Sequence, residues 1–75
     1  MEYTIIKSDG IRETFEEYHL TPWRHIIALL SPGDTVTFPS RYDWNAAVTS
    51  CRHAKELKTN TYKWYDISKA ITRLT

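Results

Sequence analysis

A single cysteine, Cys51, leaves the chain unable to close an internal disulfide. That excludes the disulfide-stapled mini-proteins of oxidising compartments and points to a reducing one. Glycine is nearly as scarce. Gly10 and Gly33 are the only two, each in a turn-like context, so no Gly-rich phosphate loop can be built. No long apolar run exists either. The longest, Ile26 to Leu30, falls far short of the roughly 20 residues needed to span a bilayer. The start, Met1-Glu2-Tyr3-Thr4-Ile5-Ile6-Lys7, lacks the basic stretch, apolar core and small-residue cleavage site of a signal peptide. A soluble, cytoplasmic protein with no membrane partner is the expectation.

Neither sign of charge dominates, with ten Lys and Arg against nine Asp and Glu. The distribution is uneven, however. Residues 1–20 carry Lys7 and Arg12 against five acids, whereas residues 21–75 carry eight bases against four acids. Such asymmetry suits a polyanionic partner for the C-terminal part, although it also fits an ordinary solvated surface. The near-neutral balance argues against a dedicated basic binder, whose isoelectric point exceeds about 9.

Aromatic residues are plentiful: three Trp, five Tyr and two Phe in 75 residues. A chain this short is one domain and buries only about 60% of the surface it exposes when unfolded. Large rings fill such a thin core well, and they also anchor binding surfaces.

Local patterning gives an order of elements. Residues 2–7 are β-branched and aromatic, which predicts a strand. Asp9-Gly10 predicts a tight hairpin turn, because Gly tolerates positive φ. A second strand follows from Ile11 to about Tyr18, with Ile11 and Phe15 facing a core. Thr21-Pro22 reads as a helix start, and Trp23, Ile26, Ile27 and Leu30 recur at helical spacing. Ser31-Pro32-Gly33-Asp34 ends that helix. Thr35-Val36-Thr37-Phe38 alternates as a strand with Val36 and Phe38 inward. Ser40 and Asp43 resemble a capping box. They open the longest helix, predicted from Arg41 to Leu57, with the apolar stripe Trp44, Ala47, Val48, Cys51 and Ala54. Lys58 to Thr61 breaks the pattern. Tyr62–Ile67 and Ala70–Leu74 complete a last hairpin around Ser68-Lys69. Ile71 and Leu74 have opposite parity, so its inward face stays open. The result is an α+β domain of order ββ-α-β-α-ββ, with a five-stranded antiparallel sheet and two helices on one face.

Catalytic constellations are not apparent. Cys51 and His53, two apart on a helix, point to different faces and cannot pair as nucleophile and base or share a metal. Cys51 belongs to the apolar stripe and reads as a buried thiol. His19 and His25 make no metal-ligand spacing. Glu16 and Glu17 point to opposite sides of a strand. The reading is therefore no catalytic residues, no metal, no cofactor and no small-molecule substrate.

Two binding readings compete. In the first, DNA or RNA is the partner. Arg41, Asn45, Thr49 and Arg52 step by four, four and three, so they form one exposed stripe of the long helix. These side-chain types read base edges, while Lys55, Lys58, Lys63 and Lys69 meet phosphates, or Tyr62, Trp64 and Tyr65 offer stacking platforms for single strands. In the second, a protein partner docks on Tyr62, Trp64 and Tyr65, or on the acidic Glu13 and Glu17. Each reading has a plain rival: polar residues on a solvated helix face, and a core role for Trp64.

Pro32-Gly33-Asp34-Thr35-Val36-Thr37-Phe38-Pro39, a helix, and a Lys/aromatic hairpin closing on Ile71-Thr72-Arg73-Leu74 resemble small phage-encoded proteins of β-α-β-β type over residues 32–75. Those carry a Gly-Asp-Ser strand start, an Ala-rich basic helix and a final apolar-x-Arg step. Thr35 stands here where Ser is usual, and the glycine of the last hairpin is missing. The resemblance implies a viral or mobile-element setting in a host cytoplasm, where small proteins redirect host transcription, DNA metabolism or defence. It carries no functional residues across.

Overall fold

A computed structural model describes residues 2–16, 23–57 and 60–75. Strands β1 (Glu2–Ile6) and β2 (Arg12–Glu16) are followed by α1 (Trp23–Ala28), β3 (Thr35–Thr37) and α2 (Arg41–His53), then β4 (Tyr62–Tyr65) and β5 (Ala70–Arg73). This is the α+β order the patterning predicts. The strands form one antiparallel sheet in the order β2-β1-β3-β5-β4. The two hairpins therefore flank the short β3, and β2 and β4 are the edges.

One face of the sheet carries the core. Ile5, Val36 and Ile71 are cross-strand partners on that face, and each is almost fully buried. Helix α1 adds Trp23, Ile26 and Ile27, and α2 adds Trp44, Ala47, Val48 and Cys51. A chain of rings joins them: Phe15 stacks on Tyr3 at 5.1 Å, and Trp23 meets both Tyr3 and Phe38 edge-on, at 6.1 and 4.8 Å. The opposite face is rich in threonine, with Thr4 and Thr14 hydroxyls 3.0 Å apart and those of Thr35 and Thr72 2.7 Å apart. Threonine suits a pleated, solvated face.

Helix α2 starts as its capping pattern predicts. The Ser40 hydroxyl accepts from the Asp43 N–H at 3.2 Å and donates to the Asp43 carboxylate at 2.9 Å. Its end differs. The helix stops at His53, because Ala54 turns to extended backbone (φ −69°, ψ 123°). A 3-10 turn, Lys55–Leu57, then folds Leu57 into the core at 1% exposure. A straight helix to residue 57 would carry that side chain past the core.

Three further expectations are corrected. Ile11 is 57% exposed and precedes β2, because the hairpin turn claims it. Its N–H bonds to the Asp9 carboxylate at 3.0 Å, and its C=O accepts from the Lys7 N–H at 2.8 Å. β4 ends at Tyr65 and β5 at Arg73, each short of the predicted limit. The inward face of the last hairpin is settled by Ile71, which is fully buried, while Leu74 is 49% exposed. The helix start at Thr21-Pro22 and the end of the second strand at Tyr18 lie outside the described residues.

Two polar clamps hold the layers. The Asp34 carboxylate, 2% exposed, accepts from the N–H groups of Ser8 (3.0 Å) and Ser31 (2.9 Å), with Lys7 Nζ at 3.7 Å. Burial alone would raise its pKa, but these two N–H donors and the ammonium outweigh it and hold the carboxyl below its ordinary value. Gly33 beside it has φ +92°, and a Cβ there would sit 3.0 Å from the Ser8 Cβ. At the other clamp, the Arg73 guanidinium donates to Leu30 C=O, to the Asn60 side-chain oxygen and to Thr75 C=O. The Trp44 indole N–H adds a buried bond to Ala70 C=O at 3.1 Å, seating α2 on β5.

Candidate macromolecule-binding surface

The stripe predicted on α2 is exposed along its length: Arg41, Asn45, Thr49 and Arg52 all face solvent. Its groups are not all free. The Arg41 guanidinium holds the Asp66 carboxylate with contacts of 2.6 and 3.0 Å. The Arg52 guanidinium lies over the Trp64 ring, 5.2 Å from its centre. The Thr49 hydroxyl donates back to Asn45 C=O at 3.0 Å. Both arginines thus tie the helix to the β4–β5 hairpin. The ion pair is exposed on both sides, so it is worth at most about 1 kcal/mol and a partner can displace it.

Lys63 and Tyr65 project from β4 to the sheet face opposite the helices, with Lys63 Nζ 5.4 Å from the Tyr65 ring centre. Lys55 is exposed in the 3-10 turn. Lys58 lies outside the described residues. Residues 41–75 hold seven Lys and Arg against three acids, so this part of the sequence is basic.

The aromatic residues divide. Tyr62 is half-buried against the core, and its hydroxyl accepts from the Asn60 amide at 3.0 Å. Burial pushes its phenol up, while that hydrogen bond acts in the opposite direction. Trp64 and Tyr65 are 37% and 41% exposed, so Trp64 is neither a core residue nor a free plate. With Asp66, Ile67 and Ser68 they line a shallow concavity of about 410 Å³ at the end of β4. Ile67 is 97% exposed there, and Tyr42, on the first turn of α2 next to Arg41, is 82% exposed. Asp66, Ile67 and Tyr42 were not among the predicted site residues. Their signal was weak: Ile67 read as the end of a strand, and Asp66 meets Arg41 across 25 positions of sequence.

The acidic residues stand apart. Glu13 is exposed on β2, opposite Ile5, at the far edge of the sheet from β4. It shares no surface with the aromatic hairpin. Glu17 lies outside the described residues.

Among the described residues, no three His, Cys, Asp or Glu side chains gather as a metal site. His25 and His53 are exposed, and His19 lies outside the described residues. Cys51 is buried on the core side of α2, and burial pushes its thiol up to about 11. No described helix is long and apolar enough to cross a membrane. Compared with protein-family models, curated proteins and solved structures, the chain matches none.

Proposed function

We propose that the domain is a docking module for another protein and that it docks through the exposed side of the β4–β5 hairpin. The observation that carries this reading is the concavity lined by Trp64 to Ser68, with Ile67 almost wholly solvated. An isolated exposed apolar residue is ordinary, but Trp, Tyr and Ile grouped around a hollow and rimmed by arginines is the composition of an interface centre. The cations support it too. Arg52 and Lys63 lie against rings, so they present exposed, aromatic-backed charge.

Nucleic acid is the second reading, favoured by the exposure of Arg41, Asn45, Thr49 and Arg52 along one side of α2. It is the weaker reading because a nucleic acid on this stripe has first to draw Arg41 from Asp66 and Arg52 from Trp64, a small cost for the exposed ion pair.

Affinity capture from extract of the expressing cell, with and without nuclease, separates the two. The expected result is a nuclease-resistant protein, retained by the wild type and by Glu13→Gln but lost with Ile67→Asp. Ile67 is so exposed that its replacement leaves the fold intact. Retention abolished by nuclease, and falling steeply with salt as released counterions demand, rejects protein docking in favour of nucleic acid.

A further inference from the structure

We infer that the outer edge of β4 accepts an extended, acidic polypeptide segment as a sixth strand of the sheet. This deepens the docking reading and rests on it. The backbone geometry comes first. The Leu74 N–H donates to Thr61 C=O at 2.7 Å, in register with the β4–β5 pairing. Hydrogen-bonded and non-bonded pairs alternate in an antiparallel ladder. Lys63–Thr72 and Tyr65–Ala70 are therefore the bonded pairs. The N–H and C=O groups of Tyr62 and Trp64 point the other way, to the sheet edge, where no described strand pairs with β4. The hollow lined by Trp64 to Ser68 continues that edge into the turn.

The edge offers donors and acceptors in alternation. A polypeptide strand satisfies both kinds, whereas phosphate groups satisfy only the donors. Side chains of an added strand would alternate between two environments. On the helix face they meet Trp64 with Arg52 above it, and on the other face they meet Lys63 and Tyr65. Both environments pair a ring with a cation, which fits a segment that mixes acidic and apolar residues. A second copy paired β4 to β4 would instead set a second Lys63 and Arg52 against the first, like charge against like.

The test uses acetylated, amidated decapeptides of alternating Val and Glu, of alternating Val and Lys, and of the first with a central Pro, plus an oligodeoxythymidine. Binding and amide hydrogen exchange of the whole chain are followed by NMR. The expected result is binding of the Val/Glu peptide alone, with exchange at Tyr62 and Trp64 slowed on the order of tenfold or more. The double variant Arg52→Gln plus Lys63→Gln, both at exposed positions, should weaken that binding about tenfold.

Val/Glu binding that Ile67→Asp abolishes, while the amides of Tyr62 and Trp64 exchange as in the free chain, overturns strand addition and leaves the docking reading standing. Equal binding of the Val/Lys peptide overturns the charge requirement. Binding of the oligodeoxythymidine alone overturns both readings. Self-association without peptide that protects the same two amides gives the edge to a second copy. No binding of any probe at millimolar concentration also overturns the inference.

Discussion

The two edges of the sheet, β2 and β4, are the outer strands of its two hairpins, yet they are built on opposite plans. β2 reads Arg-Glu-Thr-Phe-Glu, and only Phe15 is even half-buried. β4 reads Tyr-Lys-Trp-Tyr, with one charge among three rings. Charged side chains on an edge strand, lysine included, discourage further pairing, and β2 carries three of them where β4 carries one. Attachment differs as well. β2 is joined to the body through its ladder to β1, the Phe15–Tyr3 stack and the Thr4–Thr14 contact. The β4–β5 hairpin is gripped from several directions: by Arg41 on Asp66, Arg52 on Trp64, Trp44 on Ala70 and Arg73 on Leu30. A firmly held edge with a single charge is the one suited to receive a partner. A lightly held, charged edge is suited to refuse one.

The sharpest way to break this contrast is to truncate one anchor on each side. Ile71→Ala removes a fully buried side chain from the centre of the core and should cost about 3 kcal/mol. Phe15→Ala removes a half-buried ring from the outer strand and should cost about 1 to 2 kcal/mol, because less surface is lost and water can fill the gap. Urea denaturation of the two variants measures both. Equal losses would mean that β2 is as deeply committed to the core as β5, and the contrast in attachment would fail.

The joint between the hairpins is the next target. Asp34 reaches both, since its carboxylate holds Ser8 in the β1–β2 turn and its C=O accepts from the Arg73 N–H of β5 at 3.0 Å. Asp34→Asn keeps the shape but gives up the charge and turns one acceptor into a donor facing an N–H group. It should cost about 2 kcal/mol. The same group sets an acid limit. Its folded pKa lies below the ordinary 3.8, so its stabilisation is present in full well above that value and disappears as pH falls through the lower folded value. Thermal unfolding between pH 6 and pH 2 should show the wild type losing more stability than Asp34→Asn across the acid end of that range. Parallel curves would remove Asp34 from the account of how the hairpins are joined.

Much of this architecture was legible because it is periodic or local. The stripe of Trp44, Ala47, Val48 and Cys51 follows from helical spacing, and all four are buried. The Asp9-Gly10 turn follows from glycine's freedom at φ +92°. What the sequence hid was set by distant partners or by competition for one residue. Ile11 looks like a core residue until the turn claims both its backbone groups. Helix α2 ends early because Leu57 is buried by turning back, a gain no local propensity reports. The candidate surface was legible as two lists, cations on α2 and rings on β4, but not as one surface. Joining them takes the Arg41–Asp66 and Arg52–Trp64 contacts, which only the packed sheet creates. Glu13, the alternative to the rings as a docking residue, lies at the opposite edge.

The finest test exchanges the turn chemistry of the two hairpins. The β1–β2 turn places Gly10 at φ +92°, and the β4–β5 turn places Lys69, a residue with a side chain, at φ 51°. Lys69 is held there by its bonds: its N–H donates to Asp66 C=O at 3.3 Å and its C=O accepts from the Phe38 N–H at 3.0 Å. A side chain in this region costs roughly 1 to 2 kcal/mol, part of which glycine returns through its freer unfolded chain. Lys69→Gly should therefore stabilise the fold by about 0.5 kcal/mol. Gly10→Ala meets no atom within 4 Å, so it isolates the backbone term and should destabilise by about 1 kcal/mol. The opposite signs, read as shifts in melting temperature, would show that the strongly gripped hairpin tolerates a strained turn because its neighbours fix it. If Lys69→Gly instead loosens the turn and lowers stability, the lysine contributes more than its backbone strain takes away, and the grip on β4 begins at the turn itself.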